Sequence, residues 1–296
     1  MKKEIKGTGV ALVTPFHSNG SIDFGALDKL VQHLRNGKVD FLVALGTTAE
    51  TATLNSDERN AVLNAIIDSN EGDLPIVVGM GSNNTHQLTC EIKALNQEGI
   101  DAILSVAPYY SKPNQRGVYQ HFKEVAMSTK LPIILYNVPG RTSSNISPET
   151  CLSLADKFSN IIGIKEASGD LNIAMEIIKN RKDGFKVFSG DDALTLPMLS
   201  TGADGVISVI ANAYPTSFTE MVNIMINNKD NNRALEIHYQ LLDMINAIFA
   251  DGNPAGIKAL LDNMGIVGNN LRLPMMKVNR TLNNEIKRLY SLLKLA

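Results

Sequence analysis

The feature of this sequence that most limits its fold is a rhythm. Short apolar runs rich in β-branched residues recur about every 30 residues, each preceded by a helix-period stretch and followed by Gly, Pro, Ser, Thr or Asn. Eight such runs are read at residues 8–13, 41–45, 76–78, 102–106, 133–136, 161–165, 186–189 and 206–208. Amphipathic stretches separate them, among them 24–35, 57–67, 88–97 and 148–158, with Asp23, Ser56 and Ser147 as candidate N-caps. Strands apolar on both faces need cover on both sides, and parallel strands joined by helices supply it. The expected fold class is α/β, a (β/α)8 or TIM barrel. An open doubly wound sheet is the rival, but the first run ends Val10-Ala11-Leu12-Val13-Thr14-Pro15-Phe16, with no G-x-G-x-x-G turn.

After Ser208 the strand pattern stops, and 234–250, 256–264 and 282–295 read as helices broken by Asn, Gly and Pro. This predicts a barrel over 1–227 and a C-terminal helical appendix over 228–296, divided in the polar run 227–232. A chain of 296 residues, 44% hydrophobic and 20% charged, can bury a large core. Its net charge of -2 offers no basic footprint for nucleic acid. No run of about 18 apolar residues and no leader pattern is present, so neither a membrane span nor export is expected, and the location is read as cytoplasmic. Cys90 and Cys151 lie in helix-period segments outside any ligand spacing, and both are expected to be buried. His17, His33, His86, His121 and His238 form no metal-binding pair, so no metal or other cofactor is expected.

In such a barrel all strand C-termini meet on one rim, where residues distant in sequence share a pocket. The run 161–165 ends in Lys165, the one run that delivers an ammonium to that rim. An amine drawn into partly apolar surroundings loses solvation of its charged form, and the neutral form attacks carbonyls. The alternative is an ion pair with Glu166 or another carboxylate. Tyr136 ends the neighbouring run and could relay protons, or simply pack at the barrel top. Thr47 and Thr48 follow Gly46 and offer hydroxyls and N–H groups to an oxyanion, or ordinary capping. Arg141, after Pro139-Gly140, suits a carboxylate, although alone it would read as a surface arginine. The seventh exit, Ser189-Gly190-Asp191-Asp192, is acidic, which argues against a phosphorylated substrate.

Six ordered motifs combine these residues: Gly9 through Phe16, Gly46-Thr47-Thr48-Ala49-Glu50, Pro108-Tyr109-Tyr110-Ser111-Lys112-Pro113, Tyr136 through Thr142, Gly163-Ile164-Lys165-Glu166 and Ser189-Gly190-Asp191-Asp192. In them the whole chain resembles the dihydrodipicolinate synthase family, among the pyruvate-dependent lyases related to N-acetylneuraminate lyase. The resemblance implies condensation of pyruvate with L-aspartate 4-semialdehyde through a Schiff base on Lys165, in lysine and diaminopimelate biosynthesis. It implies a proton relay of Tyr136, Thr47 and Tyr110, the last reaching a neighbouring subunit within a dimer of dimers. It further implies a pyruvate-carboxylate site at Thr48 with backbone groups of Gly190 and Ile207, and a semialdehyde-carboxylate site at Arg141. Sister sugar-acid lyases share the lysine and tyrosine, but they tend to lack the Val-Pro-Gly-Arg-Thr turn. A barrel that kept the fold and lost turnover is the remaining alternative. Ser56, Arg59 and Gln87 stand where many members inhibited by L-lysine carry other groups, including a carboxylate at the last position; Asn83 and Tyr109 match. The departure implies weak or absent lysine inhibition.

Overall fold

The computed structural model describes residues 4–228 and 231–293. Eight parallel strands close into a barrel in sequence order: β1 (Gly7–Ala11), β2 (Phe41–Ala44), β3 (Ile76–Gly79), β4 (Ala102–Val106), β5 (Ile133–Asn137), β6 (Ile161–Glu166), β7 (Lys186–Ser189) and β8 (Gly205–Ser208). Closure is made by β1 on β8, with Gly7 opposite Gly205 and Gly9 opposite Ile207. Every expected run is a strand, with ends shifted by at most two residues.

The strands are buried on both faces, and the core is correspondingly double. One cluster fills the barrel, including Phe41, Val43, Leu104, Ile134 and Phe188, while a larger one lies between strands and helices. Phe41 and Phe188 meet edge-to-face at 5.6 Å and plug the interior. Gly9 makes room for them, since a Cβ there would come within 2.1 Å of the Phe41 ring.

The helix Phe24–Asn36 shows how the outer layer forms. Asp23 accepts from Ala26 N at 2.9 Å and caps it. Leu27, Leu30 and Leu34 then recur at helical spacing and are at most 1% exposed. Burying each such leucine contributes about 1.5–3 kcal/mol.

Three local expectations change. Helix Ser56–Asn70 is capped by Asn55, whose side chain accepts from Glu58 N while Glu58 accepts from Asn55 N, so Ser56 is the first helical residue. The helix read at 88–97 runs instead over Thr85–Ala94, because Asn84 caps it and Leu95 turns extended. That helix buries Leu88 and Ile92, which puts Cys90 on the opposite, exposed face. Cys151 is buried as expected.

Helices Asn231–Phe249, Ala255–Asn263 and Arg280–Leu292 follow the barrel. Among the described residues no helix is long and apolar enough to cross a membrane. Arg272, between the last two, returns to the barrel and grips both oxygens of Glu58, at 2.8 and 2.6 Å. These hydrogen bonds hold the Glu58 carboxyl down at about 2, against an ordinary 4.5. A depressed carboxylate stabilises the fold above its unfolded-state value, and that contribution disappears as pH falls from 4.5 through about 2. Thermal unfolding of Glu58→Gln should therefore lose less stability across that window than the parent. Parallel pH profiles of the two melting temperatures would refute the linkage.

Candidate active site

Strands β5 and β6 set the centre of the site. Their register pairs Tyr136 with Lys165 and Asn137 with Glu166. Because side chains alternate along a strand, the first pair faces the barrel mouth and the second faces away. Glu166 accepts from Asn137 Nδ2 at 2.9 Å and from Ser168 N at 2.6 Å. It is thereby occupied on the outer face, and the Lys165–Glu166 ion pair left open by the sequence does not form. Burial pushes the Glu166 carboxyl upward, while the Ser168 and Asn137 hydrogen bonds oppose the shift.

Lys165 is 5% exposed, and its Nζ sits 4.5 Å from the centroid of the Tyr136 ring. An ammonium over an aromatic face is attracted by the ring quadrupole, so the phenol ring aims the amine before any substrate arrives. Gly190 lies beside them: a Cβ there would stand 2.5 Å from Ala167 Cβ and 3.0 Å from Lys165 Cε. Its bare backbone lets the Lys165 side chain and Ala167 pack against the β7 exit.

The exit of β2 contributes the turn bearing Thr47 and Thr48. Thr48 is 2% exposed, and its Oγ1 accepts from Asn253 Nδ2 at 2.9 Å. Thr47 is exposed on the rim. From the exit of β5, Pro139–Thr142 forms a single helical turn that brings Arg141 over the mouth, where its guanidinium donates to Asn253 O at 3.5 Å. The acidic exit of β7 is consumed in holding the rim. Asp191 accepts from Ala193 N and Leu194 N, and Asp192 accepts from Val209 N and Ile210 N. Burial pushes Asp192 up to about 6 despite those donors.

Six of the residues singled out in the sequence, Thr47, Thr48, Tyr136, Arg141, Lys165 and Gly190, line one cavity of about 180 Å³. Two stand elsewhere. Ile207 is 1% exposed inside the barrel, opposite Gly9, and Tyr110 is 87% exposed outside the cavity. Asn253 was not anticipated, although it touches Thr48 and Arg141 at once. Its only signal was a Gly252-Asn253-Pro254 turn in a segment read as appendix.

Fold and site together define a (β/α)8-barrel enzyme built around a buried amine, with a cationic and hydroxyl-bearing rim suited to small carboxylates. The chain belongs to the dihydrodipicolinate synthetase family, whose sequence model matches residues 4–292. It is 49% identical over 280 residues to the 4-hydroxy-tetrahydrodipicolinate synthase of Flavobacterium psychrophilum, covering 95% of each chain. The 4-hydroxy-tetrahydrodipicolinate synthase of Parabacteroides distasonis is 48% identical over 272 residues, with coverage of 92% of this chain and 91% of that one. Among solved structures, the dihydrodipicolinate synthase of Acinetobacter baumannii, described as chloride-inhibited and complexed with pyruvate, superposes with a TM-score of 0.94. It is 36% identical, over 97% of this chain and 98% of that one.

Proposed function

We propose that this chain condenses pyruvate with L-aspartate 4-semialdehyde through an imine on Lys165, giving 4-hydroxy-tetrahydrodipicolinate. The observation that carries the reading is the buried Lys165 amine on the wall of a small polar cavity, against the face of Tyr136. The synthase relatives and the pyruvate held by the Acinetobacter baumannii enzyme supply the substrate class.

In this reading the Lys165 amine adds to the keto carbon of pyruvate and water leaves, forming the imine. Loss of a methyl proton gives an enamine, whose carbon attacks the aldehyde of the semialdehyde while the aldehyde oxygen takes up a proton. The semialdehyde's amine then attacks the imine carbon, closing the ring and freeing Lys165. Tyr136 and Thr47 relay the protons. Thr48 and the backbone of Gly190 hold the pyruvate carboxylate, and Arg141 holds the carboxylate of the second substrate. Two anionic substrates need two donor sites, and the Thr48 hydroxyl and Arg141 guanidinium both lie on the cavity wall.

Tyr110 completes the relay from a neighbouring subunit in a dimer of dimers. Its 87% exposure in the single chain and its φ of 71° support that role, because its backbone N–H is engaged by Thr142 O at 3.2 Å while the bulky phenol is held outward in a left-handed conformation.

Borohydride added together with pyruvate should leave a reduced adduct, and peptide mapping should place it on Lys165. An unmodified Lys165 peptide after that treatment would end the imine reading.

A further inference from the structure

The turn that carries Thr47 and Thr48 is flanked by two non-glycine residues in the left-handed region, Leu45 at φ 55° and Glu50 at φ 54°. Such conformations persist only where the surroundings over-determine them. At Glu50 the turn itself holds the backbone, Glu50 N donating to Thr47 O at 3.1 Å and Thr53 N to Glu50 O at 2.9 Å, and the C-terminal segment holds the side chain. Its carboxylate receives Lys258 Nζ on Oε1 at 2.5 Å and Arg272 N on Oε2 at 3.0 Å. Lys258 is fully buried and the Glu50 side chain is 1% exposed, so this ion pair is withdrawn from water.

Neighbouring contacts grip the same turn. Asn253 Nδ2 donates to Thr48 Oγ1, and Thr14 Oγ1 donates to Ala49 O at 2.7 Å. Phe16, which follows Thr14 in the first motif, takes Lys258 Nζ 4.2 Å and Arg272 Cζ 4.6 Å from its ring centroid. Asn270 joins both sides, its Nδ2 donating to Phe16 O and its carbonyl accepting from Lys258 Nζ at 2.9 Å.

We propose that the buried Glu50–Lys258 pair is a positioning device that holds the Thr47–Thr48 turn in working geometry, so that the C-terminal segment completes the active site. The proposal rests on reading Thr47 as a relay hydroxyl and Thr48 as a carboxylate ligand. Stability alone is a poor account of the pair, because a buried ion pair gains little over a well-packed neutral replacement once desolvation is counted. What such a neutral replacement cannot reproduce is the fixed placement of both Glu50 oxygens, and with them the left-handed bend immediately after Ala49.

The test uses full-length Glu50→Gln, which leaves the buried Lys258 amine without its anion, and the double variant Glu50→Gln/Lys258→Met, which removes both charges. Thermal unfolding establishes that each is folded, borohydride trapping at saturating pyruvate measures imine formation, and a coupled assay gives kcat. Folded variants should trap pyruvate as fully as the parent, while kcat falls by about ten- to hundredfold, as expected of a sub-ångström to ångström misplacement of a reacting group. The double variant should be the slower of the two. A kcat within about twofold of the parent in a folded variant overturns the proposal, as does loss of trapping in parallel with kcat, which would mark a general collapse of the mouth. If Glu50→Gln does not fold, the charge-neutral double variant decides by the same criteria. Failure of the parent itself to be trapped would instead overturn the imine reading.

Discussion

Lys165→Ala should reduce turnover of pyruvate with L-aspartate 4-semialdehyde by at least about 10⁴-fold, since no other group can replace a covalent nucleophile. The fold should survive. The side chain is buried at the barrel mouth against the ring of Tyr136, so truncation removes a buried polar head group and leaves the strand pairing untouched. Unfolding should therefore occur at or slightly above the parent temperature, the pattern expected where a site is arranged for chemistry at some expense of stability. Residual activity within about tenfold of the parent, in protein shown to be free of contaminating parent enzyme, would mean that the amine is not the nucleophile.

Gly205→Ala should have the largest effect on stability. Gly205 stands opposite Gly7 where β8 meets β1, and a Cβ added there would lie 2.0 Å from Gly7 O and 2.7 Å from Gly7 N. Those atoms are backbone within the closing pair of strands, so they cannot rotate aside as a side-chain terminus would. Relief requires spreading β1 from β8, which sacrifices hydrogen bonds of the closure itself. We expect a loss of about 3 kcal/mol, and a drop of roughly 6 °C in melting temperature for a chain of this size. Gly72→Ala is an informative contrast, since a Cβ there meets nothing within 4 Å and only its φ of 69° resists substitution. An effect at Gly205 no larger than at Gly72 would show that β1 and β8 accommodate the added methyl without loss of closure.

The barrel was legible because its signal is local and repeated. Each strand announces itself by apolar β-branched residues and each exit by turn formers, so a misplaced boundary at one unit does not disturb the next. Where capping competed, as at Asn55 and Ser56 or at Asn84, the reading slipped by one to three residues, since adjacent polar residues can all cap and only the backbone geometry chooses. Cys90 was misread because a helix-period segment shows that one face is buried without showing which residues lie on it when its start is shifted.

The site divides the same way. Lys165, Tyr136, Thr47, Thr48, Arg141 and Gly190 could be nominated from the sequence, because parallel strands in a barrel deliver their C-terminal residues to one rim. Their chemical types therefore followed from the order of residues alone. The sequence could not say that Glu166 turns away to Asn137, leaving the amine against a phenol ring. Nor could it say that Asn253 and Lys258, more than 200 positions from Thr48 and Glu50, reach back to hold that turn. Local patterning specifies which face a strand residue takes and where a helix begins. Contacts between distant segments depend on how the closed barrel and its trailing helices pack, and only the tertiary structure decides those.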